Sequence, residues 1–388
     1  MSQSSMRKSN PTACRYASKC GGCQLQNMTY DRQQQWKQKR VEKLLGSFGK
    51  PEPIVGMENP YHYRNKVQAA FARTRNGTII SGVYQSGSHR IVPVDSCQIE
   101  DETADAIIRD IRNLLPSFRI RVYDENTGTG FLRHVLVRRG FVSGQVMVVL
   151  VGTSFVFPMK KAFVRSLLDM HPEITTLVLN VNTKDTNLVL GDREEALFGP
   201  GWIEDTLCGL VFRISARSFY QINPVQTEKL YALAIECAAL TGDCTVLDAY
   251  CGIGTIGLAA ASRAKQVIGV ELNKSAVRDA IANARRNGIE NARFYCGDAG
   301  EFMQAMAENG QKADVVFLDP PRAGSTEKFV DSVAVMGPKR VVYISCNPET
   351  QARDLLWFDK RGYKVKRICP VDMFPYTNHV ECVTLMTR

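Results

Sequence analysis

The sequence predicts an α/β protein: a mostly parallel, doubly wound sheet in the C-terminal half, preceded by a smaller α+β module. Three observations carry this. Thr245–Thr255, TVLDAYCGIGT, runs from apolar residues through a Gly-rich turn into an Ala-rich helical segment. From there to residue 358, apolar runs alternate with helical periodicity, the pattern of parallel strands with helices on both faces. Between Tyr63 and Ser215 the runs are short, strand-like and punctuated by Gly-containing turns, with two helical stretches among them.

A chain of 388 residues is long enough for two or three domains. It carries 49 Lys+Arg against 39 Asp+Glu, and residues 1–50 alone hold ten basic residues against Asp31 and Glu42, so +8 of the net +10 lies there. A polyanionic partner is the natural reading, phosphate backbone being the commonest. A merely solvated N-terminus is the alternative. The polar start MSQSSMRKSN lacks a signal-peptide core, and the longest apolar stretch, Val146–Val151, is too short for a bilayer. A cytoplasmic protein with no membrane association is expected. Its twelve cysteines are then metal ligands, catalytic or buried rather than disulfide-bonded.

In chain order the cysteines come first. Cys14, Cys20 and Cys23 lie in CRYASKCGGC, and the next cysteine is Cys97. Four thiolates suit a [4Fe–4S] cluster or a structural zinc. The C-x5-C-x2-C spacing is unlike paired zinc knuckles and favours iron–sulfur, with zinc and buried free cysteines as alternatives. Lys37–Phe48 carries a helical stripe of Val41, Leu44, Leu45 and Phe48, with its basic face expected toward RNA or solvent. A hairpin turned at Asn76-Gly77 follows, then a helix over 101–115. FLRHVLVRRG and GQVMVVLVG are strands joined at Phe141–Gly144, followed by a helix over 157–170 and the strand TTLVLNVN. Arg64, Arg133, His134, Arg138 and Arg139 are candidates for RNA contact, with ordinary exposed strand positions as the alternative. Asn223 is expected to cap a helix opening at Pro224. Gln221, just before it, is either a loop residue or a wall of the ligand pocket.

In the C-terminal half Asp248 ends the first apolar run, Gly252 and Gly254 form the turn, and Glu271 ends the next run. Glycine permits positive φ and close backbone approach to a ligand, and an acid about twenty residues on typically holds ribose hydroxyls. The absent third glycine and the acid before the turn favour S-adenosylmethionine (SAM) over NAD, with another nucleotide or no ligand as alternatives. Helices are expected at 275–287, 299–308, 326–335 and 349–358. Strands are expected to end at Asp298, Leu318 and Ser345, and Lys364–Ile368 with Val380–Thr387 to close the sheet as an antiparallel pair. Ligands sit at the carboxyl ends of such strands. Tyr250, Glu271, Asp298, Asp319 and Cys346 fall there. In Asp319-Pro320-Pro321-Arg322 an arginine stands where amino-methylating enzymes carry an aromatic, which points to phosphate or base-edge contact. Cys346 precedes a helix capped by Asn347 with Pro348 at its first position, and helix N-terminal amides lower a thiol's pKa; an inert buried cysteine is the alternative. Glu381 opens the last strand within reach of the same pocket. Pyrimidine C5 is too weak a nucleophile for a sulfonium methyl. A thiolate adding at C6 activates it, and a base must then remove the C5 proton. The target must be unstacked, as a single-stranded or flipped uridine.

These residues resemble the RNA (uracil-5-)-methyltransferase family, specifically its iron–sulfur members acting on 23S ribosomal RNA. The markers run from Cys14 to the C-terminus: C-x5-C-GG-C with Cys97, YRNK at 63–66, LRH at 132–134, SFYQIN at 218–223, DAYCGIG, LDPPR, SCNP and HVE. The resemblance implies a Rossmann-like class I SAM methyltransferase domain plus an α+β central domain carrying an iron–sulfur site. It implies Cys346 as nucleophile, Glu381 as proton acceptor, and Gln221, Tyr250, Glu271 and Asp319, with Asp298 a weaker candidate, around SAM. Tyr250 stands where Phe is commoner. A [4Fe–4S] cluster on Cys14, Cys20, Cys23 and Cys97 is implied, and the packing of residues 26–57 on the catalytic domain. The expected division is therefore 1–25 with 58–215, and 26–57 with 216–388. Many members carry an N-terminal RNA-binding barrel, the TRAM domain; with thirteen residues before Cys14 it is expected to be absent, as in the shorter 23S enzymes. The family's transfer RNA enzymes lack the cluster cysteines. A monomer with no stable protein partner is expected. A metal-stapled RNA-binding protein without turnover is the reading from a different class.

Overall fold

A side-chain alternation that buries both faces builds the first sheet. The structure, a computed structural model, describes residues 14–184 and 188–388; Arg7 and Lys8 of the basic N-terminus lie outside them. One turn of helix, α1 (Ala17–Cys20), and a long helix, α2 (Tyr30–Leu45), precede β1 (Lys66–Arg73), β2 (Ile79–Tyr84) and β3 (Ile91–Pro93). The first two strands are the expected hairpin: Arg73 pairs with Ile79, and Gly77 takes φ 87°. Next comes α3 (Glu102–Leu114), capped by Asp101 Oδ1, which accepts from the Ala104 N–H at 3.1 Å. Then follow β4 (Leu132–Arg139), β5 (Val146–Gly152), α4 (Lys160–Met170), β6 (Ile174–Val181) and β7 (Arg193–Phe198). The order is β3-β2-β1-β4-β5-β6-β7, antiparallel except for β5–β6. In β4 and β5, Val135, Val137, Val148 and Leu150 pack with Ile107 of α3 and Phe163 of α4. Leu136, Met147, Val149 and Val151 face the other way, toward Ile203 and Phe212 of a hairpin, β8 (Trp202–Leu207) and β9 (Leu210–Ser215). That second core runs on into the other sheet through Val246 and Val315.

The second sheet is led in by α5 (Pro224–Ala238). Asn223 Oδ1 accepts from the Gln226 N–H at 3.3 Å, and Pro224, whose missing N–H needs no partner, opens the helix as expected. The chain then alternates through β10 (Thr245–Ala249), α6 (Thr255–Ala260), β11 (Gln266–Glu271), α7 (Lys274–Arg286), β12 (Ala292–Cys296), α8 (Ala299–Glu308), β13 (Val315–Leu318), α9 (Glu327–Met336), β14 (Arg340–Ser345) and α10 (Pro348–Lys360), closing with β15 (Lys364–Val371) and β16 (Glu381–Thr387). The order is β12-β11-β10-β13-β14-β16-β15. Five strands are parallel, and β16 lies antiparallel between β14 and β15. Strand order reverses between β10 and β13, which opens a crevice at the carboxyl ends there. Boundaries differ from expectation by a few residues, as where α4 starts at Lys160 and β15 runs to Val371; β12 stops at Cys296, because Asp298 is the cap of α8 and accepts from the Glu301 N–H at 3.0 Å.

Two expectations about basic residues are corrected. The buried stripe of α2 is Gln33, Lys37, Val41 and Leu45, so Lys37 is not on a solvent or RNA face. Its Nζ donates to Asp372 Oδ1 at 2.6 Å and to the Phe374 carbonyl at 2.9 Å, with both charged side chains fully buried. Val41 and Leu45 pack with Leu247, Tyr343 and Phe358 of the second sheet and its helices. The proposed RNA contacts Arg133, His134 and Arg138 are buried as well. Arg138 Nη2 donates to the carbonyls of Ala216 and Ser218, and Arg133 Nη1 to those of Asn182 and Lys184. Burial and Arg133 hold His134 neutral, its pKa lowered to about 4. Arg139 pairs with Asp101 at 2.8 Å. Among the described residues no helix is long and apolar enough to cross a membrane.

Candidate active site

The carboxyl edge of the second sheet begins at the turn after β10. Tyr250 takes φ 65°, a left-handed conformation that costs a non-glycine residue about 1–3 kcal/mol unless its surroundings impose it. Its ring packs on Phe329, with centroids 5.3 Å apart. Gly252 and Gly254 have φ 55° and 85°. A Cβ on Gly252 would meet nothing within 4 Å, whereas one on Gly254 would press the Phe294 ring at 3.0 Å. Gly252 therefore leaves open space beside the turn, and Gly254 lets the turn pack. The Gly252 N–H donates to Glu271 Oε2 at 3.1 Å, and the Asn273 N–H to Glu271 Oε1 at 2.8 Å, so the acid at the end of β11 is held by backbone. Asp248 lies deeper. Its Oδ2 accepts from the Gly257 N–H at 3.0 Å, and burial pushes its carboxyl up to about 8, so it braces the turn from beneath. Asp298 and Asp319 follow β12 and β13, and burial pushes Asp319 up to about 7. The topology thus brings Tyr250, Gly252, Gly254, Glu271, Asp298 and Asp319 to one edge. Gln221 is buried just before α5, its carbonyl accepting from Asn65 Nδ2 at 3.2 Å. An acid fixed to a glycine turn with open space beside it fits a ligand carrying vicinal hydroxyls, as SAM does.

Two strands further along lie Cys346 and Glu381. Ser345, the last residue of β14, is in register with Cys382 on β16, so Cys346, the residue after β14, and Glu381, the first residue of β16, follow that pair toward the same edge. Glu381 is 4% exposed, and burial and Asp319 raise its carboxyl well above the usual range, with Arg322 opposing them. The half-buried Cys346 thiol is pushed up to about 11 by burial, Glu381 and Asp319, in that order, again against Arg322. This reverses the lowered pKa expected from the helix N-terminus. Pro348 has no N–H, and the Glu349 N–H already donates to Asn347 Oδ1 at 3.2 Å, so burial and two carboxyls outweigh the remaining amides. The thiolate is the nucleophilic form of a cysteine and forms above neutrality here, so a reaction begun by Cys346 has a kcat/KM that rises about tenfold per pH unit between about pH 7 and about pH 10. A pH–rate profile that is flat over that range would contradict this placement of the thiol.

A cavity of about 240 Å³ beside the pair is lined by Arg40, Arg322, Cys346, Asn347, Asn378 and His379, among others. Arg40 Nη1 donates to the Asn378 carbonyl at 2.9 Å and Nη2 to Glu349 Oε1 at 3.0 Å. Asn347 Nδ2 donates to the Arg322 carbonyl at 3.3 Å. Burial, and then Arg322, Lys37, Arg40 and Arg64, lower the His379 pKa, so the cavity's positive charge rests on the guanidinium groups. Arg40, Asn378 and His379 escaped the sequence reading. His379 had a usable signal, two residues before Glu381 in NHVE. Arg40 had none, since its partner Asn378 is 338 residues away.

The four N-terminal-lobe cysteines, Cys14, Cys20, Cys23 and Cys97, all line one cavity of about 330 Å³ with Arg64 and Glu100, and none is in a disulfide. Burial raises the thiols of Cys20, Cys23 and Cys97, Cys23 to about 12. The donor chemistry is that of a metal site. The spacing is not: among the described residues no group of three or more His, Cys, Asp or Glu is arranged to hold a metal ion.

Known proteins resemble the chain along most of its length. The family described as tRNA (Uracil-5-)-methyltransferase matches residues 29–388. An uncharacterised RNA methyltransferase of Listeria monocytogenes is 46% identical over 378 residues, which is 96% of this chain and 83% of the relative. One from Halalkalibacterium halodurans is 46% identical over 378 residues, covering 96% and 82%. Among solved structures, Pyrococcus abyssi tRNA (uracil-54, C5)-methyltransferase in complex with S-adenosyl-L-homocysteine is 28% identical with a TM-score of 0.79, covering 94% of this chain and 86% of that one.

Proposed function

Because the chain belongs to the RNA uracil-5-methyltransferase family, we propose that it methylates C5 of a specific uridine in 23S ribosomal RNA, forming 5-methyluridine. The observation that supports the chemistry is the Ser345–Cys382 pairing of β14 with β16, which leaves Cys346 and Glu381 as the next residue of each chain segment toward the same edge. SAM, when bound, supplies the electrophilic methyl group. The residues for it are Glu271 at the ribose hydroxyls, Gln221, Tyr250 and Asp319 around the rest, Asp298 more weakly, and the open Gly252–Gly254 turn for close backbone approach. Cys346 loses its proton and bonds to uracil C6, and the ring's electron pair makes C5 nucleophilic. C5 takes the methyl group, leaving a saturated C5 that still carries its proton. Glu381 accepts that proton, the C5–C6 double bond re-forms, and the C6–S bond breaks to return the Cys346 thiolate. A flipped or single-stranded uridine is required for attack from the ring face.

The ribosomal rather than transfer RNA reading is supported by Cys14, Cys20, Cys23 and Cys97, which resemble the cysteine pattern of the family's iron–sulfur 23S enzymes. Transfer RNA is the second reading, favoured by the likeness to the Pyrococcus abyssi enzyme. Mapping 5-methyluridine in both RNA classes, from cells with and without the protein, decides between them. Loss of one methyl from 23S RNA is expected; loss from transfer RNA alone would move the assignment.

We further read residues 1–25 with 58–215 as the central lobe, 26–57 with 216–388 as the catalytic lobe, and the four cysteines as ligands of a [4Fe–4S] cluster. Support for the cluster is their convergence on one cavity; zinc is the competing metal, and no reaction step runs through either. Protein purified without oxygen should be coloured and contain iron and inorganic sulfide. A colourless, zinc-containing protein would reassign the site.

A further inference from the structure

The connection 372–380 between β15 and β16 brings Asn378 and His379 to the cavity beside Cys346 and then delivers the chain to Glu381. Its main chain is fastened at five points by residues 24–40. The Leu25 N–H donates to the Tyr376 carbonyl at 2.9 Å. The Tyr376 N–H donates to Gln33 Oε1 at 2.8 Å. Lys37 Nζ donates to the Phe374 carbonyl at 2.9 Å. The Asn378 N–H donates to Gln24 Oε1 at 3.1 Å, and Arg40 Nη1 to the Asn378 carbonyl at 2.9 Å. Tyr376 itself sits at φ 69°, with its ring 5.4 Å from that of Tyr61. A non-glycine residue stays in that region only where its surroundings over-determine it. Tyr63 Oη donates to the Pro375 carbonyl at 2.9 Å and Asn223 Nδ2 to the Met373 carbonyl at 2.9 Å, but both main-chain polar groups of Tyr376 itself are taken by Leu25 and Gln33, so at this residue the chain's direction is set by the N-terminal segment. Gln33 is buried, and it does not line the cavity.

We propose that Gln33, aided by Lys37 and Arg40 on the same helix, is a positioning residue that fixes Glu381 for removal of the C5 proton. Residues 24–37 then govern release of the methylated RNA and not the attack by Cys346, whereas Arg40, which also holds Glu349 at the start of α10, touches both. The asymmetry comes from the connectivity. Glu381 is the first residue after the fastened connection, whereas Cys346 is carried by β14 and the capped start of α10. The inference rests on the roles proposed for Cys346 and Glu381.

The test uses the full-length protein, its RNA and radiolabelled SAM. Denaturing gels follow covalent protein–RNA adduct against free methylated RNA. In Gln33→Leu, which leaves the Tyr376 N–H without its acceptor, release should slow by about 100-fold, the effect of a small misplacement of a catalytic group. Methylated adduct should accumulate, while single-turnover attack stays within about threefold of the unaltered protein. Gln33→Glu keeps an acceptor and should restore release. Lys39→Ala, on the exposed face of α2, should behave as the unaltered protein. Should Gln33→Leu fail to fold, the exposed Gln24→Ala, which leaves the Asn378 N–H without its acceptor and does not line the cavity, carries the same expectation. Attack and release slowing together, or release unchanged, overturns the proposal. Failure of the underlying roles is seen separately: the unaltered protein would then form no adduct at Cys346 with RNA containing 5-fluorouridine.

Discussion

Cys346→Ala is expected to abolish methyl transfer, lowering the rate by at least about 10⁴-fold, the scale seen when a covalent nucleophile is removed. Without the sulfur, C5 stays an unactivated ring carbon, and no neighbour replaces it. Cys382 is fully buried one position inward on β16, and the polar groups lining the cavity are amides, guanidiniums, an imidazole and the Glu349 carboxylate, which Arg40 holds; none is a second thiol. SAM affinity should stay within about twofold, because the residues assigned to SAM lie on other strands and additivity holds for separate sites. The two measurements are tritium transfer from labelled SAM to RNA, and calorimetric SAM binding to the same preparation. Methylation at the native rate would eliminate the covalent route. Loss of both activities would indicate a folding defect rather than a chemical one.

Glu381→Gln is expected to separate the two halves of the reaction. Glutamine fills the same space but cannot accept the C5 proton, so turnover should fall by about 10³-fold while one methyl group per enzyme is still transferred. Methylated RNA should then remain bonded to the protein through a denaturing gel. The attack itself should not suffer. Glu381 is one of the groups that raise the Cys346 thiol, so a neutral amide there lowers the cost of forming the thiolate. The adduct should therefore form at least as fast in the variant as in the unaltered protein. Fast, complete release of methylated RNA from Glu381→Gln would mean that another group takes the proton.

Local signals were the legible ones. Asn223-Pro224 and Asn347-Pro348 announce helix starts because a side-chain acceptor and a missing N–H solve the same capping problem, and both are caps in the structure. The glycine turn and the alternation after it determine the parallel sheet, and hence that strand-end acids share one edge. What stayed illegible depends on partners far along the chain. Lys37 reads as a surface cation until Asp372 and the Phe374 carbonyl are brought to it. Arg133 and Arg138 read as RNA contacts because arginine is seldom buried. Here backbone carbonyls take their donors between two apolar layers. Cys346 was correctly placed at a helix start, but its acidity was misjudged. Desolvation and the opposing strand's Glu381 are tertiary effects, and both work against the helix.

The bond between Lys37 and Asp372 spans 335 residues. During synthesis at about 5–20 residues per second, α2 leaves the ribosome roughly 20–70 seconds before its counter-ion exists. Leu247, Tyr343 and Phe358, which cover Val41 and Leu45, emerge before Asp372 does, so the apolar side of the helix can close while Lys37 still waits for its charge partner. The connection that reaches Glu381 therefore takes its place only after both sheets have most of their strands.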